Sequence, residues 1–383
     1  MVTLQNAENA LKSVYLGTVT ELLNTRANPL LTKIEQSSAD VYGKEIRTAA
    51  KFGINGGIGA GDEDGDLPEA HGNNYIQFVS TLKNLYGQIE ISDKAIRASS
   101  DGRGTFTDLL NAELEGLLSA SKFNLGRMLY GDGSGKLCTI TGGGGRSYQC
   151  DTVRNIIEGM VVDIYNSEET KTDTVRISYV DRINESITFE RLCTLSNGYT
   201  LYVQGSKDKE ITGIGALFDT GKDIYGLTRW QYPYLNPYTK DVGGPIDEIV
   251  IQEAIDALEN NAGSTVDFIS CSQDVKYSFI EYMSAFKRNI DVMELDGGFK
   301  TLSYNGLPLV YDRFVPKGTM YLLNTKSFKM HQLCDWRFLE TENGKILRQN
   351  QGKPTYTATL VKYCDLICSR PNGQAMLTGI TRS

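Results

Sequence analysis

TFTDLLNAELEGLLSASKFNLGRMLYG, Thr105 to Gly131, keeps a helical period from end to end. Phe106, Leu110, Leu114, Leu117, Leu125 and Met128 recur at three- and four-residue steps and form one apolar stripe. Asp108, Glu113, Glu115, Ser119, Lys122 and Arg127 fall largely off that stripe. Thr105 with Asp108 three residues on is a weak capping box, and Gly131, Gly133 and Gly135 supply the stop. At 1.5 Å per residue the helix is roughly 38 Å long, more than a small domain is wide, so it is expected to support several elements. The plainer alternative is an ordinary core helix. Gly116 and Gly126 each weaken it by about 1 kcal/mol relative to Ala, so packing has to hold it.

The totals narrow the classes. The chain has 383 residues, enough for two or three domains, and 40% hydrophobic with 22% charged residues is ordinary globular composition. No apolar run approaches a membrane span and polar helical sequence follows Met1, so neither a membrane segment nor a signal peptide is expected. A net charge of −8 argues against a nucleic-acid grip by the whole surface. Seven scattered Cys without a CxxC pair read as reduced thiols. Only two His occur, which nearly excludes a His triad or a multi-His zinc site. His71 lies in a Gly/Asn loop and reads as solvated; His331 reads as structural.

Upstream of the helix, residues 4–37 show helical spacing interrupted at Asn28-Pro29, with too few apolar residues to bury a core of their own. They read as an arm of helix pieces lying on something else. KEIRTAAKF (44–52) and YIQFVSTLKNLYGQIEIS (75–92) read as two strands of a long projection. The tip between them, GINGGIGAGDEDGDLPEAHGNN, is Gly- and acid-rich, and so long a loop is usually functional. Asp62, Asp64 and Asp66 have calcium-loop spacing, but Leu67 stands where that loop needs Gly and Asn73 where it needs Glu. The Gly56–Gly61 cluster misses dinucleotide spacing. Gly131 to Lys136 resembles a P-loop but has Leu137 in place of Ser or Thr and follows a helix, so it reads as a flexible exit.

Downstream, 153–205 reads as short strands, MVVDIY, VRISYV, SITFE and TLYVQ, with a turn over Asp181–Glu185. A small barrel filled by Met160, Val162, Ile164, Val175, Ile177, Tyr179, Ile187, Phe189, Leu201 and Val203 is expected. An oligonucleotide-binding barrel would need a basic, aromatic face that the segment lacks. An irregular connection, 206–245, carries WQYPYLNPY. A helix follows from Pro245 to Gly263 with Ile249, Val250, Ala254, Ile255 and Leu258 buried, then the strand VDFISCS and a second helix over Asp274–Arg288. Phe299–Tyr304 and Leu307–Tyr311 flank an Asn305-Gly306 hairpin turn, and Met320–Leu323 is a further strand. TYTATLVKYCDLICSRPNGQAMLTGI reads as two strands about Pro371-Asn372-Gly373, with Cys364, Leu366 and Cys368 on one face. The class is α+β. No catalytic, cofactor-binding or metal-binding residues are expected; a hydrolase with paired carboxylates is the rival class, and no acid pair sits in a catalytic setting.

The order of these parts resembles the major capsid protein of tailed bacteriophages. The resemblance rests on NPLLTKIE (28–35), YGKEI (42–46), FNLGRMLYGDGSGKL (123–137), GGFKTLSYNGLPLVYDRF (297–314) and TATLVKYCDLICSRPNG (357–373), and spans nearly the whole chain. It implies an N-terminal arm (1–39), an extended loop (40–92), a peripheral domain carrying the long helix as its spine (93–152), an inserted β-barrel domain (153–205), a peripheral-domain connection (206–245), an axial domain (246–350) and closing peripheral strands (351–383). It further implies a virion protein, assembled in the host cytoplasm into pentamers and hexamers of an icosahedral shell. Such a shell encloses double-stranded DNA without reading its sequence and meets scaffolding, portal and decoration proteins. An encapsulin-type nanocompartment is the alternative within the fold; a phage adaptor or tail protein would lack the long helix beside a long projection. Some relatives cross-link Lys to Asn between subunits; Lys51, Asn324 and Asn350 are available, but no pair among them is singled out.

Overall fold

The computed structural model describes residues 28–94, 105–285, 292–295, 299–340 and 345–382. The expected helices of residues 4–27, the cap at Thr105, the stripe positions Phe106 and Leu110, and the end of the second helix at Phe286–Arg288 lie outside the described residues or side chains.

Helical spacing does not continue through Leu30, Leu31 and Ile34. A single turn at Leu31–Lys33 leads into β1 (Glu35–Ser37), and β2 (Val41–Tyr42), β3 (Glu45–Phe52), β4 (Asn74–Thr81) and β5 (Lys83–Ser92) follow. The second expected strand of the projection is therefore two strands. Its inward positions are even through Ile76 and Phe78, then odd through Leu85, Gly87, Ile89 and Ile91. A strand keeps one parity per face, so the chain must change sheets where the parity changes, at Leu82. β4 pairs with β3 as the projection, and β5 pairs with β20 (Thr355–Cys368).

Helix α1 (Thr105–Leu129) follows, with Leu114, Leu118, Leu125, Met128 and Leu129 buried and Leu117 half-buried. β5 runs close beneath it: a Cβ on Gly87 would sit 2.8 Å from a Leu117 methyl.

Six strands then close into a barrel: β6 (Lys136–Gly144), β7 (Ser147–Cys150), β8 (Val161–Tyr165), β9 (Lys171–Asp181), β10 (Ser186–Phe189) and β11 (Thr200–Val203), in the order β10-β7-β6-β11-β8-β9. The expected boundary at residue 153 is thus corrected to about 136. The Gly142–Gly145 run lies in the β6-β7 hairpin. Gly143 has φ 104°, and a Cβ there would lie 2.5 Å from the Ser147 carbonyl oxygen. Leu137, Cys138 and Ile140 join the barrel core. Tyr179, expected inside, is 58% exposed; Tyr148 and Phe189 fill the interior, 5.8 Å apart between ring centres.

Beyond the short helix α2 (Ile214–Phe218) come β12 (Tyr238–Asp241), α3 (Glu248–Ala262), β13 (Phe268–Cys271), α4 (Gln273–Ala285), β14 (Val292–Leu295), β15 (Phe299–Tyr304), β16 (Leu307–Tyr311) and β17 (Met320–Leu323). α3 starts three residues after Pro245, because the Asp247 carboxylate accepts from the Val250 amide at 2.7 Å and caps it. Ile249 is exposed, and Ile251 takes the inward position with Ala254 and Leu258. Gly263, at φ 56°, ends the helix as its sequence indicates, and Asn305-Gly306 makes the β15-β16 turn with both φ positive.

β18 (Phe328–Phe338), β19 (Arg348–Gln349), β20 and β21 (Ala375–Thr378) complete the chain. A seven-stranded mixed sheet runs β12-β21-β17-β13-β16-β15-β14. The expected unit 246–350 is corrected at both ends, since β12 and β21 belong to this sheet whereas β18 pairs with β20 in the other. β17 packs Met320 and Leu322 among the α3 and α4 side chains, and Tyr321 and Leu323 into the core around α1. Covered on both faces, the central strands read as continuous apolar runs.

Candidate assembly surfaces

The projection packs its inner positions Ile46, Ala50 and Phe78 into the core around α1, and its tip runs on beyond them. β2, β3 and β4 form a three-stranded ribbon whose tip, residues 53–73, has no regular pairing. Ile54, Ile58 and Leu67 are 74%, 74% and 89% exposed among the acids Asp62, Glu63, Asp64 and Asp66. The tip holds itself by local bonds, from Gly57 N to Asn55 Oδ1 at 2.8 Å and from Gly65 N to Asp62 O at 3.1 Å. His71 lies exposed beside Gly56. Along the ribbon Tyr42, Phe52 and Tyr75 are also exposed. Large apolar side chains on a slender element with no core of its own are a surface for covering.

The root of the ribbon is fixed firmly. Val79 N donates to Tyr225 O at 3.0 Å, and the Phe78 ring meets those of Tyr225 and Tyr234 at 5.1 and 6.3 Å. Ser80 Oγ donates to Asp365 of β20 at 2.5 Å, and the same carboxylate accepts from Thr212 N at 2.6 Å and Thr212 Oγ1 at 3.0 Å. Burial pushes the Asp365 carboxyl above the usual carboxylate range, against the pull of these donors. One buried acid thus ties the projection, the 206–245 connection and the closing strand together.

Three further buried polar contacts tie distant segments. Asn28 Nδ2 donates to Asp312 Oδ2 at 2.5 Å. Lys362, 1% exposed, donates to Asp335 Oδ1 at 2.8 Å and Gln36 Oε1 at 3.0 Å. Arg127 of α1 pairs bidentately with Glu210. A removed partner in any of these would leave a polar group stranded out of water. Sequence reading does not single out Lys362 and Asp365, although they are the two charged residues of this 14-residue strand.

The two asparagines considered for cross-linking are engaged within the subunit: Asn324 Nδ2 donates to Ser264 Oγ at 3.1 Å, and Asn350 Nδ2 to Glu90 and Thr355 at 2.9 and 2.8 Å. Lys51 is exposed on β3. His331 is buried with Nδ1 3.1 Å from the Ala39 carbonyl oxygen. Asp62, Asp64 and Asp66 form no metal-ligand cluster, and none occurs among the described residues. No described helix is long and apolar enough to cross a membrane.

No family model and no curated protein matches this sequence. Solved structures do. A chain of the cyanophage A-1(L) capsid asymmetric unit superposes with a TM-score of 0.55 at 13% identity, covering 93% of each chain. The capsid of an empty GTA particle gives a TM-score of 0.52 at 10% identity, over 93% of this chain and 90% of the other. The SrpI encapsulin of Synechococcus elongatus gives 0.49 at 11% identity, over 92% and 87%. Likeness at such identities is likeness of fold, and it extends over almost the whole of both capsid chains: the chain has the tailed-phage capsid fold.

Proposed function

We propose that this chain is a major capsid subunit, a structural protein that self-assembles into an icosahedral shell around double-stranded DNA. The carrying observation is the ribbon of β2–β4, rooted by buried hydrogen bonds and ending in an apolar-studded tip, within a fold shared over 93% of its length with a phage capsid chain. A subunit with such a projection has a face that only another copy covers. In this reading the five-stranded sheet with α1 is the peripheral domain and the seven-stranded sheet with α3 and α4 is the axial domain, which meets its copies in pentamers and hexamers. The barrel of β6–β11 is an insertion. Scaffolding, portal and decoration proteins are the partners such a shell would meet, in a virion assembled in the host cytoplasm. The work is mechanical and calls on no catalytic group, cofactor or metal. A net charge of −8 suits a container that must not grip its contents along its whole wall.

Electron microscopy of the purified chain, with sedimentation, tests this. Closed shells of uniform size are expected, holding nuclease-protected duplex DNA when taken from infected cells. Monomers or open aggregates under all conditions would overturn the reading, and closed shells loaded with a protein cargo would favour a nanocompartment.

A further inference from the structure

Where the barrel meets the seven-stranded sheet there is a cleft of about 640 Å³ that the assembly reading does not use. It falls in the size range of small-ligand sites. Five cations line it, Arg154 and Arg182 from the barrel side and Arg313, Lys317 and Arg382 from the sheet side, against three acids. The chain as a whole is acidic, so this concentration runs against its general charge.

The local partners divide the five into two groups. Arg182 pairs with Glu158 at 3.1 Å, and Arg382 pairs with Glu281. The acids of the cleft are mostly committed elsewhere. Asp312 accepts from Asn28 and from Phe314 N at 2.9 Å, and Asp274 accepts from Ser272 Oγ at 2.5 Å and Gly318 N at 2.7 Å. Arg154, Arg313 and Lys317 make no contact ion pair among the described residues, although the Asp312 carboxylate acts on Arg154 and Arg313 from a distance. Arg313 sits over the Phe123 ring at 4.9 Å and the Phe314 ring at 5.5 Å, contacts that hold its guanidinium at the cleft's edge. Arg154 is the most telling of them: its Nε is sealed from solvent with no hydrogen-bond partner. Burial also pulls its guanidinium below the ordinary value, against the opposing pull of Tyr321 and the Asp312 carboxylate. A water-excluded donor without a partner is costly unless an acceptor meets it. The guanidinium fork matches phosphate oxygens two at a time. Tyr277 and Tyr311, each 41% exposed, also line the cleft, with Arg382 over the Tyr277 ring at 5.4 Å and Lys276 over the Tyr311 ring at 5.9 Å.

We propose that this cleft binds a phosphate-bearing ligand of nucleotide size, with Arg154, Arg313 and Lys317 meeting its phosphate oxygens. The ligand is either a free nucleotide or a unit of a nucleic-acid strand, which share this chemistry. The site stands independently of the shell reading.

The test is calorimetric titration of the purified full chain, in whichever assembly state it adopts, with ATP, with inorganic tripolyphosphate and with a twelve-residue oligothymidylate. Saturable binding is expected that weakens at least tenfold in Arg154→Gln and several-fold in Lys317→Gln, and not in Lys326→Gln, an exposed cation outside the cleft. Lys317 is exposed, so its variant folds even where Arg154→Gln does not, and then it decides. Binding of ATP and tripolyphosphate assigns the site to free nucleotides; binding of the oligonucleotide alone assigns it to a strand. No saturable binding of any of the three, or equal binding by the cleft variants and the control, would overturn the proposal. Failure to form shells would leave this result unaffected.

Discussion

Ser80 and Asp365, 285 positions apart in the chain, share a hydrogen bond of 2.5 Å at the point where the projection leaves the body. Thr212 donates twice to the same carboxylate, so three segments converge on one buried acid. Asp365→Ala strands the Ser80 and Thr212 donors, at about 1–3 kcal/mol. The ribbon root should loosen first. Limited proteolysis should cut within 74–82 in the variant under conditions that spare the wild type. Equal protection of those residues would show that Phe78 and its ring partners hold the root unaided.

The same carboxyl sets a pH dependence. Its folded-state value lies above the ordinary carboxylate value, so the folded chain binds that proton more tightly than the unfolded chain. The stability this provides is complete below the unfolded value, about 3.9, and is lost as pH rises through the folded value. The stability of wild type minus that of Asp365→Asn should therefore grow as pH falls from 7 to 4.5, measured by urea midpoints. Asp312 is raised in the same direction, again mainly by burial, and is common to both proteins. A difference that shrinks on acidification would mean the donors outweigh burial.

The two helix glycines separate local propensity from packing. A Cβ on Gly126 would lie 2.5 Å from the Phe314 ring, whereas one on Gly116 meets nothing within 4 Å. Gly116→Ala should stabilise by up to about 1 kcal/mol. Gly126→Ala gains the same propensity but overpacks a buried contact, at about 1–3 kcal/mol, so its net effect should be destabilising. Thermal midpoints moving in the same direction would refute the close fit of α1 against Phe314.

Much of this was open to sequence reading where one physical rule governs alone. The 25-residue helix, the Gly263 stop and the Asn305-Gly306 turn each follow from local chemistry. Other features needed two rules at once. The break at Leu82 shows as a parity change, but only when burial is counted position by position. The β6-β7 hairpin hides in a glycine run that composition marks as loop. The assignment of β18 and β21 to different sheets depends on partners far along the chain, which no local pattern encodes. The fixed root at Asp365 is not legible locally, because its partners Ser80 and Thr212 lie 285 and 153 positions away.

The tip makes an assembly prediction. Removing Asn55 to Asn73 and closing β3 onto β4 with a short turn deletes Ile58 and Leu67 but none of the buried core. Folded subunits or capsomers are expected, with closed particles reduced or absent in sedimentation. Normal shells at normal yield would show that the tip is not a contact between copies.

The barrel offers a sharper test, because its structural limits differ from those its sequence indicates. Asp208 N donates to Ser134 O at 2.8 Å, and a Cβ on Gly135 would lie 2.7 Å from the Ser206 carbonyl oxygen, so the chain enters and leaves the barrel at one place. Its apolar core runs from Leu137 to Val203 and is separate from the other two cores. Modules with adjoining ends and a private core tolerate excision. We expect a variant lacking 136–205, with Gly135 joined to Ser206 by one or two glycines, to fold and keep its helical circular dichroism, since the Arg127–Glu210 pair and α1 lie outside the cut. Cutting at 146–205 instead should fail. That deletion keeps β6 but removes β7 and β11, both of its partners, and leaves Leu137, Cys138 and Ile140 on an unpaired edge. An apolar strand with both edges open is an aggregation site. Solubility and circular dichroism of the two variants side by side decide the matter. Aggregation of both would mean that the barrel supports the main core, and equal solubility of both would mean that β6 does not depend on the barrel.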